Sequence, residues 1–236
     1  MLAHYTLYSQ LLASLQDRKL LITTINAHSY NVSREDREFE EALMKSDVLI
    51  PDGVSVVKAI RWITGQKLVK IAGADLFFYE MERMQRCGGS VFFLGSANAT
   101  LDKIVQRANT DYPAVRVGTY SPPYKPDFTA EDNAAMIEAV NTFAPQVLMV
   151  GMTAPKQEKW AYLHKDELNT GHICCIGAVF DFYAGTVQRA PRWMISLGLE
   201  WLYRFIKEPR RLWRRYLIGN TKFILAVIAE KLGSKR

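Results

Sequence analysis

Short apolar runs rich in β-branched and aromatic residues recur along this chain, and each ends at a polar or glycine-bearing turn before a helix-length segment begins. Leu20–Ile25, Val48–Ile50, Ser90–Leu94, Val115–Thr119, Gln146–Val150 and Ile173–Ile176 read as buried strands. Helical patterns are expected over residues 4–18 (apolar face Leu7, Leu11, Leu12, Leu15), from the Ser33–Asp36 capping-box pattern to Lys45, over Val54–Thr64 and Ala74–Arg86, from Asn98, over 130–143, and from Pro155 onward. Strand and helix alternate at least five times. That order demands an α/β fold: a mostly parallel, Rossmann-like sheet with helices on both faces. Asn26–Asn31, the proline-rich Tyr120–Phe128 and the aromatic Ala178–Gly185 read as loops.

Such a sheet binds ligands at the carboxyl ends of its strands. The stretch Asp47–Lys58 places Asp52 there, in Pro51-Asp52-Gly53, between a strand and a helix. Asp52 is either a ligand-facing carboxylate or a cap on the next helix. Thr24 and Asn26 end the preceding strand, so parallel pairing brings all three to one edge. Lys156 and Gln157 open a helix at the same edge, where a phosphate or hydroxyl could meet them. The Gly95 turn could also approach a phosphate, but the spaced-glycine dinucleotide fingerprint is absent.

The net charge of +6 is unevenly placed: residues 189–236 carry +9 and residues 1–188 carry −3. The basic segment has apolar residues at helical spacing (Leu197, Trp201, Leu202, Phe205, then Leu212, Trp213, Tyr216, Leu217), a break at Pro209, and three of the five tryptophans. This is the composition of an amphipathic element at an anionic membrane surface. We therefore expect an α/β catalytic domain over 1–188 and a helical, membrane-associating appendage over 189–236. The apolar run Phe223–Ala229 is too short to span a bilayer. The opening MLAHYTLYSQ lacks a signal-peptide pattern. Three cysteines, two of them adjacent, argue against a disulfide framework and for a reducing compartment. The scattered histidines make no metal set, and no Asp-x-Asp pair of the kind that holds Mg²⁺ is seen. His28 and Tyr30 lie near Asn26 but are not assigned to the site.

Several stretches together resemble the WecG/TagA/CpsF family of bacterial glycosyltransferases: TTINAHSYN (23–31), LIPDGVSVVKAIRW (49–62), KIAGADL (70–76), VGMTAPKQEKW (150–160), GAVFDFYAG (177–185) and RAPRWMISLGLEWLYRFIKEPRRLWRRY (189–216). The resemblance implies an inverting, metal-independent enzyme without a cofactor. It would transfer a sugar, typically N-acetylmannosamine, from a UDP-sugar to a polyprenyl-diphosphate-linked acceptor at the cytoplasmic membrane face. Carried over by residue, it implies Asp52 as general base, Thr24 and Asn26 flanking the reacting sugars, and Gln157 touching substrate. Lys70 stands where the family usually has arginine, keeping the charge without the bidentate fork. Arg204, Arg211 and Arg214 would close over the site and hold the diphosphate. The rival readings are an oxidoreductase, which lacks its glycine motif, and a basic-tailed nucleic-acid- or membrane-binding module without catalysis. The resemblance implies no nucleic acid partner. Donor, acceptor sugar and homo-oligomerisation stay open.

Overall fold

The computed structural model describes residues 1–233, with the side chains of Arg192, Ser196 and Arg211 outside the described set. Six strands form one all-parallel sheet: β1 (Leu20–Ile25), β2 (Val48–Pro51), β3 (Ser90–Leu94), β4 (Arg116–Tyr120), β5 (Val147–Val150) and β6 (His172–Cys175), in spatial order β2-β1-β6-β5-β3-β4. The first and last strands of the sequence are thus sheet neighbours. Their carboxyl ends, with that of β2, form one edge: Ile25 lies opposite Pro51, and Ile22 opposite Cys174.

Strand residues alternate between two cores, as the pleat requires. Ile22, Ile50, Phe93, Met149 and Cys174 face one core, which they share with residues of α4 (Gly73–Cys87), α5 (Asn98–Asp111) and α8 (Gly177–Tyr183). Leu21, Phe92, Leu148, Ile173 and Cys175 point the other way, towards α6 (Ala130–Phe143) and α7 (Lys156–His164). On that same face Ile25 and Leu49 pack with α1 (Ala27–Ser33), α2 (Arg37–Met44), which supplies Phe39 and Leu43, and α3 (Val54–Thr64). Both faces are therefore covered, which explains why the strands read as near-continuous apolar runs.

Four expectations fail. Residues 4–18 form no long helix, only 3₁₀ turns at Leu2–His4 and Leu12–Ser14. Between these turns Leu7 bridges Leu49 in parallel and the Tyr8 N–H donates to the Leu49 carbonyl, so the segment runs as a strap along the exposed edge of β2. Asn26–Asn31 is not a loop, because Asn26 caps α1: its Oδ1 accepts the N–H groups of His28 and Ser29, and Ser29 Oγ accepts the Asn26 N–H. Asp36, not Ser33, caps α2. Residues 178–183 are helical within α8 rather than loop.

The C-terminal segment is a succession of helices: α9 (Arg192–Ser196), α10 (Glu200–Lys207), α11 (Pro209–Trp213), a π-helical turn (Arg214–Ile218) and α12 (Gly219–Gly233). Pro209 opens α11 at its first position, where a missing N–H costs nothing. One stripe of α12 packs on the core: Phe223 and Val227 are buried, and Glu230 accepts the N–H groups of Leu2 and Ala3. The other stripe (Ile224, Leu225, Ile228, Leu232) is exposed.

Candidate active site

The candidate site is the shared carboxyl edge of β1, β2 and β6. After Pro51 the Asp52 N–H donates to the Ile25 carbonyl, adding one rung beyond the strand pairing and holding Asp52 beside the end of β1. Gly53 follows with φ +135°, a conformation that side chains resist, and a Cβ there would meet Asn26 Cβ at 3.7 Å. The turn therefore needs glycine, and it presses the Asp52 loop against the Asn26 cap. Gly53, not Asp52, occupies the cap position of α3, and no side chain caps that helix. The capping reading of Asp52 fails.

The Asp52 carboxylate accepts no hydrogen bond from the described residues. Burial pushes its pKa up to about 6, and the charges of Lys70, Glu200, Asp75 and Arg215 act on it in turn: the two cations lower it and the two acids raise it. Lys70 reaches this site from the segment between α3 and α4, whose Ile71 N–H donates to the Pro51 carbonyl. Thr24 is half-buried on β1, opposite Ile50. Asn26 has its Oδ1 committed to the cap, so only its amide N–H groups are free to face a ligand. The structure thus gathers Asp52, Thr24, Asn26 and Lys70.

Gln157 is buried behind this edge and tied at both ends: its Oε1 accepts the Gly177 N–H at 3.2 Å and its Nε2 donates to Glu158 Oε1 at 2.8 Å. It joins the start of α7 to the start of α8, leaving one amide hydrogen for a ligand. A Cβ at Gly177 would lie 2.5 Å from Gln157 Oε1, so a side chain there would push Gln157 off this bridge. Lys156 is drawn aside: its ammonium donates to the Lys125 carbonyl and lies 3.4 Å over the Phe128 ring, which ties the proline-rich loop to α7. Gly95 is explained by backbone packing, since a Cβ would sit 2.6 Å from the Gly151 carbonyl oxygen.

Of the arginines expected over the site, Arg204 and Arg214 have their described ring contacts on Phe182 and Trp213. Arg204 lies 5.4 Å over the Phe182 ring and lines a cleft of about 250 Å³ with Thr186, Gln188, Tyr203 and Lys207. Arg214 is exposed, 5.3 Å over Trp213. The side chain of Arg211 lies outside the described residues. Among the described residues, the guanidinium whose charge acts on Asp52 is that of Arg215, which also acts on His28. Burial, then Arg215, pushes His28 down to about 4, so its imidazole is neutral around pH 7. Among the described residues no three His, Cys, Asp or Glu side chains form a metal-sized cluster.

The glycosyl transferase WecG/TagA/CpsF family model matches residues 3–236. The chain belongs to this family. Its relatives include the N-acetylglucosaminyldiphosphoundecaprenol N-acetyl-beta-D-mannosaminyltransferase of Bacillus subtilis (strain 168), 28% identical over 93% of this chain and 84% of the relative. The protein of the same name from Bacillus spizizenii (strain ATCC 23059 / NRRL B-14472 / W23) is 27% identical over 94% of this chain and 83% of its own length. This WecG/TagA/CpsF chain is a glycosyltransferase, built on the parallel sheet described above. No described helix is long and apolar enough to cross a membrane.

Proposed function

We propose that this glycosyltransferase transfers N-acetylmannosamine, with inversion, from a UDP-sugar to a polyprenyl-diphosphate-linked N-acetylglucosamine at the cytoplasmic face of the membrane. The observation that carries the chemistry is Asp52, a carboxylate on the ligand edge that caps nothing and whose pKa burial raises to about 6. Such a group is ionised at neutral pH yet basic enough to take a proton. As the acceptor hydroxyl oxygen forms its bond to the anomeric carbon, its proton passes to Asp52. The bond from that carbon to the UDP oxygen breaks on the opposite face, and its electron pair leaves with the diphosphate. Lys70 offers a cation for the growing charge, so the reaction needs no metal ion. Thr24 and the Asn26 amide flank the sugars, and Gln157 holds the wall behind them.

Residues 1–188 serve as the catalytic unit and 189–236 as the appendage that meets the membrane, where the lipid-linked acceptor resides. The relatives' names support acceptor and donor sugar, and the exposed apolar stripes of the C-terminal helices support the surface. The test is UDP release from a panel of UDP-sugars with a short-chain polyprenyl-diphosphate-N-acetylglucosamine acceptor and EDTA present. Acceptor-dependent turnover is expected with one donor, and Asp52→Asn should lower it by about 10²-fold or more. Equal turnover by the variant would remove Asp52 as the base. A salt-sensitive shift with RNA or DNA and no turnover would favour a binding module instead.

A further inference from the structure

The Gln157 amide sits between two partners that allow it one orientation. Strands β5 and β6 end side by side, Val150 opposite Cys175. The Gln157 side chain crosses from the first turn of α7, which follows β5, to the start of α8, which follows β6. The Gly177 N–H can only donate, so Oε1 must face it. Nε2 then faces Glu158, whose Oε1 must accept. Turned over, the amide would set N–H against N–H at Gly177. The second Nε2 hydrogen makes no hydrogen bond among the described residues, so the side chain meets a ligand as a donor.

Glu158 supplies the shorter of the two bonds, 2.8 Å against 3.2 Å. It is buried, and its Oε2 has no hydrogen-bond partner among the described residues. A buried oxygen left in that state costs stability, and an apolar side chain of similar size would avoid the cost. The loop before α7 carries a second cost. Thr153, a β-branched residue, holds φ +69°, and its carbonyl accepts the Gln157 N–H at 3.2 Å. Costs of this kind gathered at a ligand edge point to a task other than holding the fold. Burial pushes the Glu158 pKa up to about 7, so acid and carboxylate both occur near neutral pH, and Oε1 can accept in either form.

We propose that Glu158 is a positioning residue for sugar transfer: it locks the Gln157 amide so that Gln157 offers the substrate an N–H and recognises an oxygen there. The inference rests on the glycosyltransferase reading and on Gln157 touching the substrate. Without the Glu158 oxygen, the Gly177 bond alone holds the Gln157 amide, which can then swing about it and misplace the hydrogen that meets the substrate. The effect of Glu158 passes through Gln157, because Glu158 is buried behind it.

The test is a double-mutant cycle on the full chain, with Gln157→Ala, Glu158→Met and the two combined, plus Glu158→Gln and Asp52→Asn. Sugar transfer is measured as kcat and KM, and thermal melts are recorded for every variant. Glu158→Met keeps much of the volume and removes the oxygen. It should lower kcat/KM by about tenfold or more while melting at or above the native temperature near pH 7.5. Whichever of kcat or KM Gln157→Ala moves, Glu158→Met should move the same one. The double variant should be no worse than Gln157→Ala alone. Glu158→Gln, which keeps an oxygen able to accept, should recover most of the loss. If Glu158→Met does not fold, Glu158→Asp, one methylene too short to reach Gln157, takes its place in the cycle. Losses that multiply in the double variant, native turnover in Glu158→Met or in Gln157→Ala, or a Glu158→Gln as poor as Glu158→Met would each overturn the proposal. The glycosyltransferase reading survives those outcomes as long as native enzyme turns over and Asp52→Asn does not. If native enzyme transfers no sugar, both fall together.

Discussion

Glu158 and Asp52 are both carboxyls held above their ordinary range by burial, but with different surroundings. Asp52 faces the site and four charges; Glu158 is 1% exposed behind it, with Oε1 accepting from Gln157 and Oε2 without a hydrogen-bond partner. Burial pushes Glu158 up to about 7 from 4.5. A folded-state value above the unfolded one means that folding holds the proton more tightly. Its stabilising contribution is full below about pH 4.5 and is lost as pH rises towards 7, by up to about 3 kcal/mol. Melting temperature should therefore fall between pH 5 and pH 8. Glu158→Gln, which mimics the neutral acid, should flatten that fall; thermal melts of both proteins across this range check it, and parallel curves would show that Glu158 does not carry the dependence. Asp52 contributes in the same direction, so a residual slope is expected in the variant.

Each short contact between elements has its own local requirement. The turn between α9 and α10 seats Gly198 on α3: at φ +74°, a Cβ would lie 2.9 Å from Val54 Cγ2, in the first turn of the helix that follows Asp52. Gly198→Ala therefore meets both backbone strain and a collision. We expect a loss of about 1–3 kcal/mol, seen as a lower melting temperature. A larger fall in turnover than in stability is also expected, because Glu200 and Arg215 lie beyond this turn. If the variant melts and turns over as the native protein does, α9 and α10 are not seated on α3 in solution. The strap at the N-terminus is a second case: its leucines suit a helix, but Leu7 and the Tyr8 N–H gain the Leu49 edge of β2, contacts that a helix there would forfeit.

Across the molecule, charge and exposed apolar surface coincide in the C-terminal helices. Trp213, Leu217, Ile218, Ile224 and Leu225 are each more than 40% exposed in a segment carrying +9. Vesicles containing anionic lipid should therefore pull the protein down, neutral vesicles much less, and salt should weaken the capture within the range set by screening. Trp213→Ala combined with Leu217→Ala should reduce capture by about tenfold or more if both side chains enter the interface. Co-sedimentation measures this, and unchanged capture would leave charge as the whole attraction.

Local pattern was enough for the sheet, for α3 and α6 to the residue, and for Asp52, Thr24 and Asn26 sharing an edge. Buried parallel strands advertise themselves as apolar runs, and a Pro-Asp-Gly stretch after such a run marks where the chain turns. The matched family motifs also made the glycosyltransferase class legible. Residues 4–18 and 178–183 depart from their local pattern because their conformation is set by distant partners: Leu49 for the former, the α4–α5 face for the latter. The charge of Arg215 on Asp52 was not legible for a related reason. Helical spacing assumes one uniform turn, and a π-helical turn shifts which of two adjacent arginines faces inward. Whether it forms depends on Tyr216 finding Trp201 and Phe205 and on Gly219 finding Asn31, contacts that exist only once the helices have docked.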